Sequence, residues 1–144
     1  MTIRPRAVKA LRDVRERLRD AAAASHAHAS SALELSQIAL AEERRRFEDF
    51  LDEAPTTLTA ARTVYDLEEH NEDTGVHRLA IVDAAQRHDE DSQVTNLTAL
   101  KLRERTRQLR SAEKLVEMVD DQRSKADARV EQAGNDDLAS RRRR

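Results

Sequence analysis

Five histidines, His26, His28, His70, His77 and His88, are the side chains best suited to metal or acid–base chemistry, and no cysteine is present to join them. On a helix His26 and His28 point about 200° apart, so their rings cannot share one metal ion. His70 and His77 flank a strong turn signal, and no histidine pairs with a carboxylate at the spacing of a zinc-binding helix face. Gly75 and Gly134 stand alone, so no glycine-rich loop can cradle a phosphate. Solvated or helix-packing histidines are the better reading. The sequence points to no catalytic residue, no metal and no cofactor, and to a protein that is not an enzyme.

Two other groups of side chains suit contacts with macromolecules. Phe47, Phe50 and Tyr65 are the whole aromatic content. Phe47 and Tyr65 fall on an apolar helical stripe, whereas Phe50 falls at its edge, where core packing and partner contact both remain open. Arginines form the second group. Arg12, Arg15, Arg17 and Arg19 lie near the start, and Arg141, Arg142, Arg143 and Arg144 close the chain. No aromatic is interleaved with them for base stacking, and the net charge is only −2, so nucleic acid is not the expected partner. An acidic protein surface suits them better.

The elements that must position these groups follow from composition. Leu, Ile and Val make up 27 of 144 residues, too few for a thick globular core, while 38% of the chain is charged. Two glycines and two prolines leave too few turn residues for a β-sheet fold. Ala, Leu, Arg and Glu favour long helices. No stretch approaches the ~20 apolar residues of a membrane span, and no apolar signal core follows the first basic residues. The absence of cysteine fits a reducing cytoplasm.

A 3-4 spacing runs through Leu11, Val14, Leu18, Ala21, Ser25, His28, Ala32, Leu35 and Ala39. It shifts by one residue and continues through Leu40, Arg44, Phe47, Leu51, Ala54, Leu58, Ala61 and Tyr65. Because the stripe stays in phase across Pro55, that proline reads as a kink inside one helix; Pro5 suits a first helical turn. Asn71-Glu-Asp-Thr-Gly75 is the strongest break. After it come Val76, Leu79 and Val82, then Val94, Leu97 and Leu100. Two heptad rows follow, Leu102, Leu109, Val116, Val130 and Ala112, Val119, Ala126, Ala133.

The expected fold is all-α: one domain over 1–144, a long antiparallel two-helix coiled-coil hairpin. Its first arm spans about 5–70, its turn lies near 71–75, its second arm spans about 76–133, and a basic tail covers 134–144. Each arm would be about 90–100 Å long. That turn sets residue i opposite roughly 146 − i, and so the alanines from Ala21 to Ala32 against Leu115 to Val119. A turn at Pro55 is the competing arrangement.

The second arm carries a resemblance. Leu109-Arg-Ser-Ala-Glu-Lys-Leu115, then Glu131-Gln132, a three-residue spacer, Asp136-Asp137-Leu138-Ala139 and arginines resemble the tail of the FliJ/YscO family. Val8-Lys-Ala-Leu11-Arg-Asp-Val14-Arg-Glu-Arg-Leu18 is similar to that family's opening helix. Asp137 stands where the family usually has Glu, and Gly134-Asn135 interrupts a spacer that is normally helical. The resemblance implies a cytoplasmic coiled-coil stalk of a flagellar or injectisome type III export machine, peripheral to its membrane-embedded apparatus. It implies binding and stimulation of the hexameric export ATPase, with contacts to the export gate protein and secretion chaperones. Carried onto this sequence, Arg12, Arg15, Arg19, Arg141 and Arg142 are the candidate ATPase contacts, and Phe47, Phe50 and Tyr65 the candidate gate or chaperone contacts. The expected state is a monomeric hairpin without membrane insertion; the alternative function is a generic coiled-coil scaffold or adaptor.

Overall fold

The structure, a computed structural model, describes residues 4–141, with side chains described through Asp136. It consists of two helices, α1 (Pro5–Ala60) and α2 (Val64–Arg141), packed against each other as an all-α hairpin. Pro5 opens α1 at a position where a missing N–H costs nothing, and the Arg4 carbonyl accepts from Ala7 N at 3.0 Å. α1 continues through Pro55, and the Thr57 and Thr59 hydroxyls donate back to the Glu53 and Pro55 carbonyls.

The reversal lies at residues 61–63 rather than at 71–75. Its cause is a reciprocal cap. Thr63 Oγ1 accepts from Asp66 N at 3.2 Å, and Asp66 Oδ2 accepts from Thr63 N at 2.9 Å and from Arg62 N at 2.8 Å. Three amide donors at the start of α2 are thus satisfied by two side chains. Asn71 to Gly75 is instead helical throughout, with Thr74 Oγ1 donating to the His70 carbonyl at 2.8 Å. Gly75 has no positive φ, and a Cβ placed there would meet nothing within 4 Å. Gly75→Ala is therefore expected to stabilise the hairpin by about 0.5–1 kcal/mol, read from urea or thermal unfolding. A turn at this glycine would give the opposite sign.

Asp66 supplies a pH signature. The N–H bonds from Arg62 and Thr63, followed by its contact with the Thr63 hydroxyl, hold its carboxyl below the usual carboxylate range. A folded-state pKa below the unfolded one adds stability that is fully present above about pH 4 and is lost as pH falls further. The gap in urea midpoint between the wild-type chain and Asp66→Asn should close on acidification through that range. A gap that is constant with pH would remove the carboxylate from the cap.

Moving the turn moves the pairing. Between Ala24 and Leu100, Ala29 meets Thr95, His26 meets Thr98 and Phe47 meets His77, so partner numbers add to 124. Nearer the helix ends Arg15 meets Gln108. Relative to the expected 146 − i, the partner helix has slid by about 22 residues, or about 33 Å. Ala22 consequently lies at the level of Leu102, not of Leu115 to Val119.

From Val8 to Leu33 the stripe that packs is also rotated by one residue, whereas Leu40, Phe47, Ala54 and Ala61 of the expected second stretch are buried or half-buried. α1 turns Val8, Arg12, Arg15, Arg19, Ala22, His26, Ala29, Leu33, Leu40, Phe47 and Phe50 inward, each buried or half-buried. The expected stripe, Leu11, Val14, Leu18 and Leu35, is exposed. On α2, Val76, Leu79, Val82, Val94, Leu97 and Leu100 are likewise exposed, while His77, Ile81, Ala84, Thr95 and Thr98 face α1. The heptad rows hold from Leu102 to Val119: Leu109, Ala112 and Val119 are buried. From Asp120 to Asp136 every side chain is exposed, because α1 has already begun and offers no further partner turns. Gly134 and Asn135 lie within α2, which corrects the expectation of a separate tail at 134–144.

The hairpin divides into two contact units, one of Met1–Ala23 with Lys101–Arg144 and one of Ala24–Leu100. Among the described residues Ala112 is the most completely enclosed core residue, and no large side chain is fully buried. Among the described residues no helix is long and apolar enough to cross a membrane.

Candidate functional site

The helix-end unit holds Arg12, Arg15 and Arg19, three of the arginines that the resemblance marks as candidate ATPase contacts. Arg12 Nε and Nη2 both donate to Asp13 Oδ1, at 3.0 and 2.7 Å, and this carboxylate raises the guanidinium pKa still further. Arg15 Nη1 crosses between the helices to the Gln108 carbonyl at 2.7 Å. Gln108 is itself fixed, accepting from Arg105 at 3.0 Å and donating to Glu104 at 2.9 Å. Arg19 pairs with Asp20 at 2.8 Å, and its Nε is buried without a hydrogen-bond partner. All three aliphatic stems lie along the seam, each side chain half-buried there. Arg15 is thus an interhelical strap rather than a free cation. Arg141 ends α2, while its side chain and Arg142 to Arg144 lie outside the described residues.

Rolling those arginines inward rolls their neighbours outward. Residues i and i+1 on a helix differ by about 100°, so Leu11, Val14 and Leu18 turn away from the seam. They are 38%, 52% and 40% exposed. With the seam rows known, Leu115 and Met118 take the equivalent flanking positions on α2, and both are exposed. Facing flanks of an antiparallel pair lie on one side, so these five residues form one apolar face of the helix-end unit. The periodicity places Leu11, Val14 and Leu18 in the seam between the helices, and the structure turns them to its outside.

In the unit that contains the turn, Phe47 and Phe50 pack inward and Tyr65 stands 71% exposed. Phe50 stacks on His70 at 4.9 Å and lies 4.7 Å from His77, and Phe47 lies 6.1 Å from His77. His70 and His77, expected on opposite sides of a turn, are therefore one helix apart from the same phenyl ring. Of the three aromatics only Tyr65 is freely presented. Beside this cluster an open groove of about 680 Å³ is lined by apolar Phe50, Leu58, Ala60 and Ala61 and by acidic Glu53, Asp66, Glu69 and Asp73. His26 pairs with Thr98 at 3.2 Å, and no cluster of three or more metal-ligating side chains forms among the described residues.

The groove escaped sequence reasoning because the turn was displaced. Thr63-Val-Tyr-Asp66, an S/T-x-x-D cap pattern, is the signal that would have located it. No family model, curated protein or solved structure matches the chain.

Proposed function

We propose that this chain is the non-enzymatic central stalk and adaptor of a type III protein export apparatus. In this reading it acts in the cytoplasm beside the membrane-embedded machine, binds and stimulates the hexameric export ATPase, and touches the export gate or export chaperones. The FliJ/YscO resemblance of Leu109 to Leu115 and of Glu131 to Ala139 supports it. The observation that carries it is the exposed apolar face of the helix-end unit, Leu11, Val14, Leu18, Leu115 and Met118. A hairpin that keeps arginines in its seam and leucines on its outside gains most by covering that face with another protein. The ATPase contact then runs through the leucine face, with Arg12 and Arg19 at its border and Arg15 holding the two helices in place.

The test is a titration of the purified chain into the export ATPase of its own host, with hydrolysis as the readout. Saturable stimulation at about one chain per hexamer is expected. No stimulation, together with a dimeric solution mass, would favour the scaffold reading, in which a second copy covers the same leucines.

A further inference from the structure

We infer that the turn end of the hairpin is a docking surface for a basic, leucine-anchored helix of another protein. The inference does not depend on the stalk reading, since a scaffold would carry the same surface. Residues 48–73 contain nine carboxylates, Glu48, Asp49, Asp52, Glu53, Asp66, Glu68, Glu69, Glu72 and Asp73, against the single cation Arg62. Among the described residues, no ion pair neutralises any of the nine. The formal charge of this stretch is therefore −8, and each carboxylate repels the others.

The same stretch displays apolar surface. Leu51, Leu58, Val64, Tyr65 and Leu67 are all exposed, with Val64 and Tyr65 above 70%. Leu58 also lines the groove together with Glu53, Glu69 and Asp73. Apolar anchors surrounded by uncompensated negative charge complement one kind of partner, an apolar stripe flanked by Lys and Arg. Helical backbone on both sides of the groove offers no strand edge, so recognition passes through side chains, as when an amphipathic helix lies in a groove.

Three fluorescein-labelled 20-residue peptides test this against the full chain by anisotropy. The first has leucines at helical i, i+4, i+7 spacing with Lys and Arg elsewhere. The second keeps the cations and replaces leucine by alanine, and the third keeps the leucines and replaces the cations by glutamate. The first should bind saturably in the micromolar range, more weakly as salt rises, the second at least about tenfold less tightly, and the third not saturably. Leu58→Ser with Leu67→Ser, both exposed positions, should weaken the first peptide about tenfold with unchanged circular dichroism. Glu53→Gln with Glu69→Gln should flatten its salt dependence. Asp120→Asn with Asp121→Asn, at the other unit, should leave binding as it was. Equal binding of the leucine and alanine peptides, or equal loss in the Asp120/Asp121 variant, would reduce the surface to generic negative charge and overturn the inference.

Discussion

If the chain is the stalk proposed above, replacing Leu11, Val14 and Leu18 together by glutamine is expected to reduce stimulation of the export ATPase at least tenfold and to leave the chain folded. All three side chains lie outside the seam and are 38%, 52% and 40% exposed, so the aliphatic stem of glutamine keeps much of the packing each one makes. Glutamine also has good helix propensity, which keeps the helical content near its original value. What changes is the transfer term. Covering a half-exposed leucine contributes roughly 1 kcal/mol at ~25 cal/mol per Å², and about 1.4 kcal/mol is a factor of ten in affinity. Three such losses exceed that threshold comfortably. Wild-type stimulation by the triple variant would remove the leucine face from the ATPase contact. Arg15→Glu is a poorer probe, because it replaces the donor to the Gln108 carbonyl and thereby loosens the hairpin itself.

The second large effect concerns the seam. Leu109 is 8% exposed between the helices, whereas Leu97 is 65% exposed, although both lie on stripes that the periodicity singles out. Leu109→Ala should cost about 2 kcal/mol, the lower end for a buried leucine, because a two-helix seam can close around the gap. For a chain of this size that corresponds to a thermal midpoint lower by about 8 °C. Leu97→Ala should change stability by less than about 0.5 kcal/mol. Thermal unfolding of the two variants checks both figures, and a larger loss at Leu97 than at Leu109 would show that the helices pair in a different register.

Particular residues show how far periodicity can be read. Leu102, Leu109 and Val116 repeat every seven residues, as do Ala112 and Val119, and the structure turns both sets toward α1. That row was readable because small and branched apolar side chains occupy both of its positions with little competition. On α1 the leucines at 11 and 18 and the arginines at 12 and 19 offer two stripes one residue apart. Hydrophobicity alone chooses the leucines. The structure chooses the arginines, because their stems pack in the seam while Arg15 satisfies a carbonyl of the opposite helix. Phe50 was ambiguous in the sequence for a related reason: its place between His70 and His77 depends on residues twenty or more positions away.

The turn shows the limit most clearly. Asn71, Asp73, Thr74 and Gly75 have the local preferences of a turn, yet they continue a helix whose propagation outweighs a single glycine at about 1 kcal/mol. Ala60-Ala61-Arg62 has the composition of a helix, yet the chain reverses there because Thr63 and Asp66 cap α2 reciprocally. Composition and the 3-4 spacing by themselves determined that this protein is two long helices with a thin core, since those properties are local and sum along the chain. Which residue turns, which stripe faces inward, and therefore which leucines and carboxylates are left for partners, were decided only by the pairing of α1 with α2. A one-residue rotation or a 22-residue slide costs little in any single turn of helix. Its energy appears only when two surfaces meet.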